Sequence, residues 1–339
     1  MNDREPVEHS LTIGGTPLHE LFVRVGRHHR RVLLKREEYN PFGSIKDRTA
    51  YSLLHVLEAA RPGEQLTIVE STSGNLGAAM AALCHLQGHE FIAVVDPKVS
   101  PGNLALMRRF GAAIETIDTA DEYGNYLMSR IRRVREICAE NPDAVWSNQY
   151  ANAANPQVHY RETAPEILKD ADDAIGAVFV AVSTGGTLRG LSDRFREESP
   201  GTTVVAVDVE GSIALGGAPN LRRLNGIGAN RPSQFLDDAH YDEKILVRDT
   251  AAIATCRSLR DQTGIFLGGS GGAALAACLR HLMAHPETGL AVCVCPDGGG
   301  EYSETLYSDS WIAEQDIRLD DDYRWMDVNE IRFTSPVSQ

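Results

Sequence analysis

Short apolar runs alternate with amphipathic ones along most of this chain. Arg31–Lys35, Leu66–Val69, Glu90–Val95, Ile114–Ile117, Gly176–Val182, Thr203–Val209 and Leu290–Cys295 have the length and apolar content of strands, several of them rich in β-branched residues. Between them the spacing turns helical: Arg48–Leu57, Leu76–Leu86, Asn103–Phe110, Tyr123–Cys138, the stretch after Gly185, Ala251–Thr263 and Gly272–His285. This rhythm predicts an α/β fold built on a doubly wound parallel sheet. Residues 1–10 read as a flexible tail, Gly14–Leu18 as a turn, and the Asp-rich residues 316–339 as an acidic peripheral extension. There are no internal repeats, low-complexity tracts or long linkers.

The length of 339 residues, 42% of them hydrophobic, allows a sizeable core in two domains or one large α/β unit. A formal net charge of -14 argues against nucleic acid or an anionic membrane as partner, because both require basic patches. Cys84, Cys138, Cys256, Cys278, Cys293 and Cys295 are dispersed in apolar surroundings without zinc-ligand spacing, and read as reduced core residues. The N-terminal residues are polar and acidic where a signal peptide has its apolar core. A cytoplasmic enzyme with no metal is the expectation.

The candidate chemistry begins at Asn40–Arg48. Pro41 and Gly43 predict a turn, Ser44 a helix N-cap, and Lys46 then falls in the first helical turn. A helix N-terminus disfavours a cation, so a lysine there is easier to hold neutral, the form that attacks an aldehyde. A lone lysine is ordinarily a solvated surface residue; the segments downstream of Lys46 set it apart. Glu70–Gly77 (Glu-Ser-Thr-Ser-Gly-Asn-Leu-Gly) follows a strand and opens a helix, where hydroxyls and backbone N–H groups can converge on an anion or simply cap the helix. Val182–Leu188 carries paired glycines, Gly185 and Gly186, flanked by Thr184 and Thr187, a backbone able to close around a phosphate. Gly226–Asn230 lacks the third glycine of a dinucleotide fingerprint and reads as a loop.

Taken in order, these segments resemble the fold-type II pyridoxal phosphate (PLP) enzymes, the cysteine synthase and tryptophan synthase β family. Matches run from about residue 10 to 312. The resemblance implies two doubly wound parallel-sheet domains: a larger PLP-binding domain from 11–49 plus 150–315, and a smaller, mobile domain from 50–149 that binds the substrate carboxylate. It also implies pyridoxal 5'-phosphate as cofactor with Lys46 as the Schiff-base lysine, and amino acids as substrates. By the same resemblance Asn75 goes to the PLP 3'-oxygen, Ser183, Thr184, Gly185, Gly186 and Thr187 to its phosphate, and Ser270 to its pyridine nitrogen. A serine at that nitrogen, unlike a carboxylate, does not hold it protonated, which favours loss of a β-substituent over transamination. Ser270 can also cap the helix that follows. Pro296–Gly299 matches the strand end on the same side of the ring. Thr72, Ser73 and Gln149 go to the substrate carboxylate. Relatives are usually homodimers, and a homodimer is implied.

Longer stretches are similar to the 2,3-diaminopropionate-forming branch of that family, the N-(2-amino-2-carboxyethyl)-L-glutamate synthases of siderophore and antibiotic biosynthesis: Glu70–Gly77, Val94–Pro101, Tyr126–Ile131, Asn148–Asn152, Val207–Ser212 and Tyr307–Trp311. That likeness implies O-phospho-L-serine as first substrate and the amine of L-glutamate as nucleophile, with Arg130, Tyr150 and Ser183 at the phosphoserine. Arginine suits a dianionic leaving group because its planar fork pairs with phosphate oxygens. Arg130 shares its helix with Arg132, Arg133 and Arg135, which by itself reads as a solvated face. Thr184–Thr187 is worded more like a cysteine synthase, which keeps O-acetylserine or O-phosphoserine with sulfide as an alternative. A protein that keeps the fold as a binding or regulatory subunit is a third reading, and the intact Lys46 argues against it.

Overall fold

The computed structural model describes residues 11–120, 126–319 and 327–333. The tail at 1–10, the start of the helix expected from Tyr123, and the remainder of the C-terminal extension lie outside them.

In chain order the strands and longer helices are β1 (Leu18–Val25), β2 (His28–Arg36), α1 (Lys46–Ala60), β3 (Thr67–Ser71), α2 (Asn75–Gln87), β4 (Glu90–Val95), α3 (Pro101–Arg109), β5 (Ala113–Thr116), α4 (Leu127–Glu140) and β6 (Ala144–Trp146). There follow α5 (Ala154–Val158), α6 (Ala164–Asp170), β7 (Ile175–Ala181), α7 (Gly186–Glu198), β8 (Thr203–Val209), β9 (Glu243–Val247), α8 (Asp249–Thr263), α9 (Gly269–Ala284), β10 (Leu290–Cys295), α10 (Asp309–Glu314) and β11 (Asp327–Arg332).

The strands form two sheets. A four-stranded sheet runs β5-β4-β3-β6, parallel throughout, and a seven-stranded sheet runs β11-β1-β2-β10-β7-β8-β9. In the larger sheet β2, β10, β7, β8 and β9 are parallel, and β1 and β11 add an antiparallel edge. The turn expected at Gly14–Leu18 ends where β1 begins. Part of the stretch read as an acidic extension is the edge strand β11, paired from Glu20↔Arg332 to Arg24↔Asp327.

Helices cover both faces of each sheet, as parallel strands require. β10 is buried along its whole length and β7 almost so, which explains their uninterrupted apolar sequences. On one face Phe179, Val205, Val207 and Cys293 pack against Ile253, Leu259, Leu275 and Leu279 of α8 and α9; on the other Val178, Val180 and Val292 meet Leu188, Leu191 and Phe195 of α7. In the smaller sheet Ile68 and Ala93 pack against Leu53, Leu54, Met80 and Leu83 of α1 and α2, while Val69 and Val94 face Val134 of α4. All six cysteines are free, and all but Cys138 are buried. No helix among the described residues is long and apolar enough to cross a membrane.

The loops that leave β3, β7 and β10 at their carboxyl ends converge between the sheets, together with the first turn of α1. Such a crevice is where open α/β sheets place their ligands.

Candidate active site

Lys46 is the first residue of α1, one residue earlier than a Ser44 cap implies. The flanking residue is Ile45, and the Ser44 hydroxyl accepts the Lys46 backbone N–H at 3.2 Å without being the cap. The neighbours of Lys46 are anchors. Asp47 closes the preceding turn by accepting the Phe42 N–H (2.6 Å), and Arg48, fully buried, forks onto Glu37 (2.8 and 3.0 Å) and Glu166 (2.7 and 2.7 Å). By surface area Lys46 is half-buried, yet its amine is enclosed enough that desolvation lowers it from its ordinary value to about 8, against the opposing pull of Asp297. The shift moves the amine toward its neutral form.

Asp297, just past β10, joins the two sides of the crevice. Its carboxylate accepts the Asn75 side-chain N–H (2.9 Å), the Tyr302 hydroxyl (2.7 Å) and, at the limit of bonding, the Ser270 hydroxyl (3.5 Å). Burial raises Asp297 to about 6 despite those donors. Asn75 also accepts from Asn103 (3.2 Å). Ser270 does not cap α9: the cap is Gly268 and makes no side-chain bond. Buried in the first turn of that helix, Ser270 faces Asp297 instead.

The turn into α7 forms a cup. Gly185, at φ +93°, is the cap residue, and a Cβ at Gly186 would overlap the side-chain amide of Asn155. The Thr184 hydroxyl accepts from Asn155 (3.2 Å) and Gly186 N–H (3.4 Å), Thr187 meets His159 Nε2 (3.3 Å), and Ser183 donates to the Gly228 carbonyl (3.3 Å). The Gly226–Asn230 loop is thus the backing of this cup, its Gly228 N–H bonded to the Val182 carbonyl (2.7 Å). His159 sits in a π-helical turn, and burial, aided by the charges of Lys46 and Arg48, keeps it neutral, its pKa well below the usual histidine range. Beyond Gly186, the first-turn N–H groups of α7, which have no partner within their own helix, and the surrounding hydroxyls suit a phosphate.

Across the crevice, α2 begins at Gly74, which caps without a side-chain bond, so neither Thr72 nor Ser73 is consumed as a cap. The Ser73 oxygen accepts the Asp96 N–H (3.0 Å) and the Arg130 guanidinium (2.9 Å), leaving its own proton for a ligand. Gln149 follows Asn148, held in the left-handed region at φ 52°, and its side chain donates to the Ser71 carbonyl (3.1 Å). Arg130 is not on the solvated face: it is only 9% exposed, with Asp96 3.3 Å away, whereas the Arg132 side chain is 67% exposed. Tyr150 lies beside it, its phenol raised by burial and lowered in part by Arg130.

Hydrogen bonds thus link Asn75 and Ser270 to Asp297, the cup to Gln149 through Asn155, and Ser73 to Arg130, while the Thr72 side chain lies against Gly77. Unforeseen members are Asn155 and His159 behind the cup, the carboxylate of Asp297, and Glu70 beneath the carboxylate loop. The cup, the partly neutral Lys46 and the paired Asn75 and Ser270 fit pyridoxal phosphate, whose phosphate, aldehyde and ring they can hold. Residues 9–297 match the family described as pyridoxal-phosphate dependent enzyme. The chain belongs to that family. As a PLP-dependent β-substitution enzyme it is similar to N-(2-amino-2-carboxyethyl)-L-glutamate synthase of Cupriavidus metallidurans strain CH34, at 42% identity covering 89% of this chain and 90% of the relative. It is equally similar to the protein of that name from Ralstonia nicotianae strain GMI1000, at 42% identity over 89% of each. The crystal structure of O-ureido-L-serine synthase superposes with a TM-score of 0.80 at 30% identity, covering 89% of this chain and 97% of that one.

Proposed function

We propose that this PLP enzyme replaces the phosphate of O-phospho-L-serine with the amine nitrogen of L-glutamate. The products are N-(2-amino-2-carboxyethyl)-L-glutamate, a precursor of L-2,3-diaminopropionate, and inorganic phosphate. The observation that carries the reading is the buried Arg130, aimed at Ser73 in the carboxylate loop, where an acetyl leaving group needs no guanidinium. The relatives at 42% identity support it.

The cofactor, held by Lys46, Asn75, Ser270 and the Ser183–Thr187 cup, supplies a sink for the electron pair left at the substrate Cα. Thr72, Ser73 and Gln149 bind the substrate carboxylate and fix the Cα–H bond toward Lys46. Its amine, already partly unprotonated at neutral pH, takes the Cα proton. Arg130, Tyr150 and Ser183 hold the phosphate as it leaves. We take the working unit to be a homodimer. The Thr184–Gly185–Gly186–Thr187 wording favours a second reading, a cysteine synthase using O-acetylserine or O-phosphoserine with sulfide.

Mass spectrometry of the product decides between them. O-phosphoserine with glutamate should give the adduct and stoichiometric phosphate. Cysteine from the sulfide reaction, with no glutamate adduct, would overturn the proposal in favour of the second reading.

A further inference from the structure

We propose that Arg231, on the loop behind the phosphate cup, is a specificity residue whose guanidinium recognises the anionic β-substituent of the first substrate from the side opposite Arg130. The proposal rests on the reading that this substituent is phosphate.

Arg231 follows the Gly226–Asn230 loop that receives the Ser183 hydroxyl, so it projects from the larger sheet. Its guanidinium carbon lies 5.3 Å from the centre of the Tyr150 ring. Arg130 approaches the same tyrosine from α4 of the smaller sheet, and both charges act on the Tyr150 hydroxyl. The two arginines differ in what already occupies them. Arg130 donates to Ser73 and shares its charge with Asp96 at 3.3 Å. Arg231 is half-buried and, among the described residues, has neither a hydrogen bond nor an ion pair, only the tyrosine face beneath it. An arginine stacked on an aromatic ring is pre-oriented while its N–H fork stays free.

The location selects the ligand group. Tyr150 directly follows Gln149, a carboxylate donor of the proposed function, and stands within reach of both guanidinium charges. A dianion there meets Arg130, whose charge is shared with Asp96, and Arg231, whose charge no carboxylate among the described residues shares. The neighbouring Arg222 is unavailable, bonded to the Ile227 carbonyl (3.1 Å) and Asn230.

The test uses PLP-loaded wild type, Arg231→Ala and Arg231→Lys, with O-phosphoserine and O-acetylserine as first substrates and titration of the cofactor absorbance as a binding readout. Arg231→Ala should weaken O-phosphoserine binding and lower its kcat/KM roughly 10- to 100-fold, the worth of a charge-assisted hydrogen bond. The loss for O-acetylserine should be at least tenfold smaller, inorganic phosphate should inhibit less, and Arg231→Lys should recover part of the difference. Equal losses for both substrates would make Arg231 structural and overturn the proposal. A rise confined to the KM for glutamate, with O-phosphoserine titrating as in wild type, would overturn it too and assign Arg231 to the nucleophile. Wild-type enzyme whose cofactor spectrum ignores O-phosphoserine would defeat the substrate reading itself, and does so before any variant is made.

Discussion

The carboxylate of Glu70 accepts the backbone N–H of Gln149 at 3.0 Å, which fastens the 147–149 segment to the end of β3 beneath the 72–75 loop. The same buried carboxylate takes the Ser147 hydroxyl (2.7 Å), the Trp146 indole (3.2 Å) and the Ser71 N–H (2.7 Å). Desolvation raises its pKa while these donors oppose the rise. Glu70→Ala strands several donors at once. It should destabilise the protein by about 3 kcal/mol and raise the KM for the amino-acid substrate, with Glu70→Gln milder on both counts. Thermal unfolding and steady-state kinetics check this; a Glu70→Ala protein with wild-type KM would separate the network from substrate binding.

Lys46 titrating near 8 has a direct consequence for cofactor capture. Its neutral amine is the reactive form, so the uptake rate of PLP by apoprotein should climb up to tenfold per pH unit below about 8 and level off above it. Stopped-flow absorbance gives the profile. A plateau beginning only near pH 10 would mean an ordinary, solvated lysine. Lys46→Ala should leave no covalently held cofactor and no turnover.

Acid should loosen the anchor of α1. Burial works against the Glu166 carboxylate, but Arg48 and Lys35 overcome it and depress its pKa from 4.5 to about 2. A depressed carboxylate stabilises the fold fully above its unfolded pKa, and that contribution fades as pH falls from about 4.5 toward 2. Its ceiling is about 3 kcal/mol. Glu166→Gln should flatten this part of the stability curve, measured by denaturant titration between pH 2 and 6. Arg48→Met, which leaves Glu37 buried without its cation, should cost about 3–5 kcal/mol.

The cup tolerates no side chain at Gly186, where a Cβ meets the Asn155 amide. Gly186→Ala should weaken PLP binding roughly 5- to 100-fold by displacing Asn155 and Thr184, with little change in far-ultraviolet circular dichroism. Equilibrium dialysis against PLP measures it, and unchanged affinity would mean that the phosphate does not use this turn.

Much of the fold and the site was legible because strands and chemistry-bearing loops leave local marks. The apolar run of β10 and the paired glycines at Gly185–Gly186 need only their own neighbours to be recognised. What escaped depends on distant partners. β1 was hidden because its mixed sequence, Leu-His-Glu-Leu-Phe-Val-Arg-Val, pairs with β2 on one side and β11 on the other, a register no local pattern encodes. By spacing alone Arg130 reads like Arg132 and Arg133; only the likeness of Tyr126–Ile131 to a family segment marked it, and its burial depends on Asp96 and Ser73, distant in sequence. Asp297 was visible only as a strand end, although it meets Asn75 across the crevice, and His159 carried no signal because its partners, Thr49 and Thr187, lie far away in sequence. Ser270 offered two roles, and the Gly268 cap removed one.

The first turn of α1 is fixed to β2's end and α6 through Arg48, while Leu53 and Leu54 further along lie in the core of the smaller sheet. Helix α1 is therefore a lever clamped at one end to the larger sheet and loaded along its length by the smaller one. Lys46 sits at the clamped end, where any tilt of the lever sweeps the least distance. A rotation of the smaller sheet about that end would carry the 72–75 loop with it and leave the reactive nitrogen at its address.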